Sequence, residues 1–170
     1  RGLPWRQVPK VLLSAANTSA MLLYIITNAI LFSFLLTSEQ IPQELAQWVT
    51  DRGLSPWMFL LAVNVVLLIA GQFMEPSSII LIVAPLLLPI AVALGIDPIH
   101  LGIIMVVNME IGMISPPVGL NLYVASHMTR MGMTAVSLAS LPWVVLLIAF
   151  LALVTYVPAV SLWLPGLFYS

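Results

Sequence analysis

The sequence contains no cysteine, which excludes disulfides, thiolate metal sites and cysteine nucleophiles and leaves the redox compartment open. Charge is nearly as scarce. Five basic and six acidic side chains make up 6% of 170 residues, against about 25% in a soluble domain whose surface must face water. So few charges cannot coat an 18.5 kDa globule, and a water-soluble monomer is excluded. The net charge of -1 offers no basic patch, so no nucleic-acid partner is expected. Enzyme signatures are missing as well: there is no HExxH, no Walker A loop and no GxSxG. His100 and His127 stand alone, each read as an interfacial residue rather than a ligand. Neither a charged ring nor a repeated filter marks a channel. What the chain has is apolar length: 62% of it is hydrophobic and its mean hydropathy is +1.14. It therefore reads as an all-α integral membrane protein with several spans and the lipid bilayer as its first partner.

Arg1, Arg6 and Lys10 form a basic cluster ahead of an uncharged run, residues 11–37, read as a transmembrane helix long enough to cross about 30 Å of hydrocarbon. Residues 38–56 are polar, with Leu45, Trp48 and Val49 at i, i+3, i+4 spacing, and are read as an interfacial arm. Two short apolar arms follow, Trp57 to Phe73 and Ile79 to Leu94, each at the lower length limit for a span; whether they cross or only dip in is open. A run from 99 breaks at Ser115-Pro116-Pro117-Val118-Gly119 and resumes to 128. Residues 134–157 form the last long run, and Pro158 and Pro165 mark its fraying end. Trp143 and Trp163 flank it as interface anchors. No soluble linker divides the chain, so residues 1–170 are read as one membrane domain. Because the sequence starts at Arg1 rather than Met, it is expected to be a fragment.

Orientation follows from Lys and Arg. With Arg1, Arg6 and Lys10 in the cytoplasm, segment 38–56 lies outside and the two short arms return the chain outside near Asp97. Reading 99–128 as one discontinuous span then leaves Arg130 inside as well.

The two interruptions carry the chemistry. Non-helical backbone at membrane depth strands N–H and C=O groups at several kcal/mol each unless protein, water or an ion satisfies them. Paired breaks therefore point to a site, with half-helix N-termini toward an anionic substrate and freed carbonyls toward Na⁺. Pro76 and Pro116/Pro117 suit the first turn of resuming helices. Ser77, Ser78 and Ser115 can cap or offer hydroxyl oxygen to a hard cation. Gly71, Gly112 and Gly119 permit close backbone approach. Ordinary proline kinks, or a plain loop at 71–78, are the competing reading.

Glu75 and Glu110 are the acids within apolar runs, where a carboxylate is costly. At a re-entrant tip Glu75 would lie near the bilayer centre; in a plain loop it is a cytoplasmic turn residue. Glu110 lies about 200° around the helix from Asn108. Asn108, Gly112 and Ser115 share a face, favoured as the site side. Asn121 follows the second break and either completes the site or makes an interhelical hydrogen bond; Asn17, Asn28 and Asn64 are read as helix contacts. The nine Met are read as packing.

The segments Gly71-Gln-Phe-Met-Glu-Pro-Ser-Ser, Ala84-Pro-Leu-Leu-Leu-Pro, Leu94-Gly-Ile-Asp-Pro-Ile-His and Val107-Asn-Met-Glu-Ile-Gly-Met-Ile-Ser-Pro-Pro-Val-Gly-Leu-Asn-Leu closely resemble the large membrane subunit of TRAP (tripartite ATP-independent periplasmic) transporters, the DctM family. The likeness covers nearly the whole chain and corresponds to roughly the C-terminal two-fifths of such a subunit. It implies an elevator-type fold of two inverted repeats, of which this chain holds the second: a re-entrant hairpin at 57–94, the discontinuous helix at 99–128 and a final span at 134–157. It further implies a permease in the bacterial inner membrane, multi-pass, that couples Na⁺ flow to uptake of organic acids of the C4-dicarboxylate or sialic acid type. Its partners would be a periplasmic substrate-binding protein and a small membrane subunit.

On this reading Na⁺ is the coupling ion, met by oxygens near Gly71, Glu75, Asn108, Gly112, Ser115 and Gly119. Ser77, Ser78, Pro117 and Asn121 face the substrate. The family often carries Asp where this chain has Glu75. The alternatives are a stand-alone elevator-type Na⁺/carboxylate symporter and a non-transporting scaffold subunit; a scaffold has no need of interrupted helices.

Overall fold

The computed structural model describes residues 4, 7–117 and 119–168. Arg1 and Arg6 of the basic cluster, and Val118 of the second break, lie outside the described residues. Eight helices and no strand are found among those described: α1 (Val8–Ser38), α2 (Ile41–Asp51), α3 (Pro56–Gly71), α4 (Pro76–Ala93), α5 (Pro98–Met113), α6 (Leu120–Thr129), α7 (Met133–Tyr156) and α8 (Pro158–Phe168). Proline sets most of the starts. Pro56, Pro76, Pro98 and Pro158 each open a helix, the position where a missing N–H leaves no bond unmade. Ser55, Glu75 and Asp97 precede three of them, and their side-chain oxygens accept from backbone N–H groups of the first turn.

Three helices are long and apolar enough to cross a membrane: α1, α4 and α7. By contrast α3 and α5, at 16 residues each, rise only about 24 Å. Yet α5 is the centre of the molecule. It packs against α3, α4, α7 and α8, burying Leu101, Ile104, Met105, Met109 and Ile111 among Leu60, Leu67, Ile79, Ala91 and Val154. The two legs of the 57–94 segment touch each other little: α3 lies chiefly on α5, whereas α4 lies on α1, α2 and α5.

Three local expectations change. In α2 the packed face is Pro42, Ala46 and Val49, against α4. Leu45 and Trp48 stay exposed, with the Arg52 guanidinium 4.9 Å from the Trp48 ring centre. Tertiary packing chose the face with the small side chains, which lets α2 approach closely. Second, the predicted fraying end is a helix. Pro158 starts α8 after a kink at Val157, and Pro165 sits inside it. Third, His100 is buried, 3% exposed, its Nδ1 2.7 Å from the Ser161 hydroxyl of α8. It is a tie between α5 and α8, not a residue at the water interface.

The ends of the elements are sorted. Pro56, Leu94, Asp97, His100 and Pro158 line one cavity of about 290 Å³, so the start of α3, the end of α4 and the starts of α5 and α8 share an edge. On the far side of α4, its first turns (Ser78, Ile82) line a groove of about 550 Å³ with Tyr24, Asn28, Phe32 and Leu35 of α1. The first turns of α4 thus share a groove with the C-terminal half of α1.

Candidate functional site

The two interruptions begin at one place. Asn64 of α3 meets Asn108 of α5, and further along Gly71 meets Gly112, so α3 and α5 run parallel and end together. The contact is backbone on backbone. A Cβ on Gly112 would lie 2.5 Å from the Gly71 carbonyl carbon and 2.7 Å from its oxygen, a separation only glycine permits. Two helix C-termini thereby converge, each carrying about half a negative charge from its unpaired carbonyls.

Asn108 lies one turn before Gly112 on the same stripe and is completely buried. Its Nδ2 donates to the Ile104 carbonyl and to Asn64 Oδ1, both at 2.8 Å. Its Oδ1 is buried with no hydrogen-bond partner among the described residues. A buried acceptor left unmet costs about 1–3 kcal/mol. Ser115, also buried, turns its hydroxyl back to the Ile111 carbonyl at 2.7 Å. Gly119, at φ +48°, presses on the Ser115 carbonyl: a Cβ there would stand 2.7 Å from that oxygen. Gly119 thus has no room for a side chain on that face, and the Pro116–Pro117 peptide is cis.

Glu75 has a different local role. It is the N-cap of α4: Oε1 accepts from the Ser77 N–H and hydroxyl (3.1 and 2.7 Å) and Oε2 from those of Ser78 (3.0 and 3.2 Å). Glu75, Ser77 and Ser78 are thus brought together as one exposed knot that already places an anion at the α4 N-terminus. The start of α6 differs, since its cap Gly119 brings no side chain. Pro117 and Asn121 are exposed around it. Because α6 packs on α7 and the end of α5, Asn121 and the Ser77–Ser78 pair stand on different groups of helices. Glu110 is exposed, on the side of α5 away from Asn108.

Asn64, read as a helix contact, makes two, to Asn108 of α5 and Thr155 of α7; Thr155 is not among the residues singled out from the sequence. Asn64 Nδ2 donates to Thr155 Oγ1 of α7 at 2.9 Å, and Thr155 is fully buried. The available signal was the i, i+7 spacing of Asn64 and Gly71, which puts both on the α5-facing stripe of α3. Asn28, read as a helix contact, instead donates to the Tyr24 carbonyl of its own helix, since little covers α1.

The donor set fits a small hard cation. Among the described residues no group of three His, Cys, Asp or Glu side chains can hold a metal. The oxygens on this stripe, the carbonyls at the two helix ends, the Asn108 amide oxygen and the Ser115 hydroxyl, are neutral and of the kind a hard cation such as Na⁺ takes.

An all-helical chain with three apolar helices long enough to cross a bilayer, and two shorter ones that end together at Gly71 and Gly112, has the build of a membrane protein. Residues 1–160 match the family described as "Tripartite ATP-independent periplasmic transporter, DctM component", and the chain belongs to that family. It is 65% identical over 167 residues to the C4-dicarboxylate TRAP transporter large permease protein DctM of Rhodobacter capsulatus, covering 98% of this chain and 38% of that protein. To the protein of the same name from Pseudomonas aeruginosa it is 64% identical, over 98% of this chain and 39% of the relative. To the sialic acid TRAP transporter large permease protein SiaM of Vibrio cholerae it is 35% identical, over 94% of this chain and 37% of the relative. The chain thus spans about two-fifths of the length of these curated relatives. Their names describe transporter permeases, not enzymes.

Proposed function

We propose that this chain forms the C-terminal part of the permease subunit of a Na⁺-coupled secondary transporter, multi-pass in a bacterial inner membrane, that imports an organic acid delivered by a periplasmic binding protein. The observation that carries the reading is the meeting of the α3 and α5 C-termini at Gly71 and Gly112, one turn after buried Asn108, whose Oδ1 is unmet. Two converging negative helix ends and a spare buried acceptor favour a bound cation and disfavour an empty site. Identity of 64–65% to two C4-dicarboxylate permeases favours a C4-dicarboxylate as the cargo. A small membrane subunit completes the assembly.

The 57–94 segment is read as a re-entrant hairpin of an elevator-type fold. What supports this is the short rise of α3 and the position of Ser78 in one groove with Tyr24 and Asn28, in the C-terminal half of α1. The coupling ion would be held by the 71–75 and 108–119 oxygens: carbonyls around Gly71, Gly112 and Gly119, Asn108 Oδ1 and the Ser115 hydroxyl, with Glu75 close behind the first break. For the substrate carboxylate, Asn121 lies at a helix start whose cap, Gly119, brings no side chain. Ser77 and Ser78, on a separate group of helices, offer donors of their own only when Glu75 releases them. Neutralising the paired C-termini would steady both breaks, which ties substrate binding to ion binding with no chemical step.

The test is uptake of a labelled organic-acid panel into proteoliposomes holding the complete permease and its small partner, under an inward Na⁺ gradient, with and without the binding protein. Succinate uptake that needs both Na⁺ and the binding protein is expected. Na⁺-driven uptake without the binding protein would establish a stand-alone symporter instead, and no uptake of any acid a scaffold subunit.

A further inference from the structure

The polar chain Thr155–Asn64–Asn108 crosses three helices through the apolar core, and two of its members lie outside the oxygen set assigned above. We infer that Asn64 and Thr155 are positioning residues that hold the Asn108 amide with its oxygen bare, and so set the affinity of the ion site. The inference rests on the Na⁺ reading of that site.

The direction of the chain is fixed at one end. The Ile104 carbonyl can only accept, so the Asn108 atom 2.8 Å away is the NH₂ group. Its second hydrogen goes to Asn64 Oδ1 at 2.8 Å. Asn64 must then turn its own NH₂ to Thr155 Oγ1 at 2.9 Å. With both amide hydrogens of Asn108 committed, rotating the amide would set its oxygen against two acceptors, the Ile104 carbonyl and Asn64 Oδ1. Oδ1 is held outside the network, buried and unmet. The relay also reaches α7, so a shift of α7 relative to α3 is felt at Asn108 through two hydrogen bonds.

The experiment uses the complete permease, purified with its small partner. Its readouts are Na⁺-dependent thermal stabilisation, the melting temperature in Na⁺-free choline buffer and half-saturating Na⁺ for uptake. Thr155→Val keeps the shape and removes the acceptor. It should raise half-saturating Na⁺ in both assays by roughly three- to tenfold, the equivalent of one net hydrogen bond, and Thr155→Ser should restore it. Asn64→Leu should act in the same direction and serves if Thr155→Val does not fold. Ser161→Ala breaks a buried bond of the same kind, to His100, outside the relay; it should lower the Na⁺-free melting temperature and leave half-saturating Na⁺ unchanged. Unchanged Na⁺ affinity in Thr155→Val or Asn64→Leu, with wild type responding to Na⁺, overturns the positioning role alone. A wild-type protein with no Na⁺ stabilisation overturns the ion site and the positioning role together.

Discussion

At the scale of single residues, the site depends on an asymmetry between two glycines. Gly112 has no room for a side chain, because the nearest atoms to its would-be Cβ are Gly71 backbone at 2.5–2.8 Å. Gly71 meets nothing closer than Gly112 Cα at 3.4 Å, an ordinary contact. Backbone cannot rotate aside as a side chain does, so Gly112→Ala must push α3 and α5 apart at their C-termini. It is expected to cost about 1–3 kcal/mol, the range of overpacked cores, and to weaken Na⁺-dependent stabilisation. Gly71→Ala should be much milder on both counts. Thermal melts of the two purified variants with and without Na⁺ decide this, and equal losses would break the geometric argument. That glycines permit close approach was legible from the sequence. Which one would be intolerant was not, because it depends on how the two helices are rotated at their crossing.

Elements show where pattern reading works and where it stops. The starts of α4 and α5 could be read from Pro76 and Pro98, and the second break from its double proline, since proline acts through its own backbone; Pro158, read as a fraying end, opens α8 instead. The packed face of α2 could not, because Leu45, Trp48 and Val49 form a fair apolar stripe, yet the neighbouring α4 selects Pro42, Ala46 and Val49. Glu75 belongs here too. Its carboxylate organises the beginning of α4 through four bonds to Ser77 and Ser78, a use that a search for intramembrane acids overlooks. Glu75→Gln presents one oxygen and one NH₂ to those four donors, so two acceptor positions become donors. The expected loss is about 1 kcal/mol, as for other N-cap removals, read as a lower melting temperature in Na⁺-free buffer. An unchanged melting temperature would show that the cap does not hold α4. A change in half-saturating Na⁺ beyond wild type would place Glu75 in the ion site as well as in the cap.

At the scale of the molecule, sidedness joins the charge pattern to the fold. Lys10 lies in the first turn of α1 and Arg130 follows α6, while the starts of α3 and α5 and the end of α4 share the opposite edge, around His100 and Pro158. Placing cations inside therefore puts α2 outside and makes the 57–94 segment leave and return on the outer side. The depth reached by its tip is what separates a re-entrant hairpin from two full spans. Because this stretch lacks cysteine, single cysteines can report it in a cysteine-free permease: Gln47→Cys on α2, Thr129→Cys at the end of α6 and Met74→Cys at the tip. A membrane-impermeant maleimide added outside should label Gln47→Cys alone, and inside-out vesicles should expose Thr129→Cys. Met74→Cys is the deciding position. With the first turns of α4 sharing a groove with the C-terminal half of α1, it should react far more slowly from the inside than Thr129→Cys. Labelling as fast as Thr129→Cys would make the segment two complete spans, put Glu75 in the cytoplasm and leave the Gly71–Gly112 crossing without a membrane-depth ion to hold.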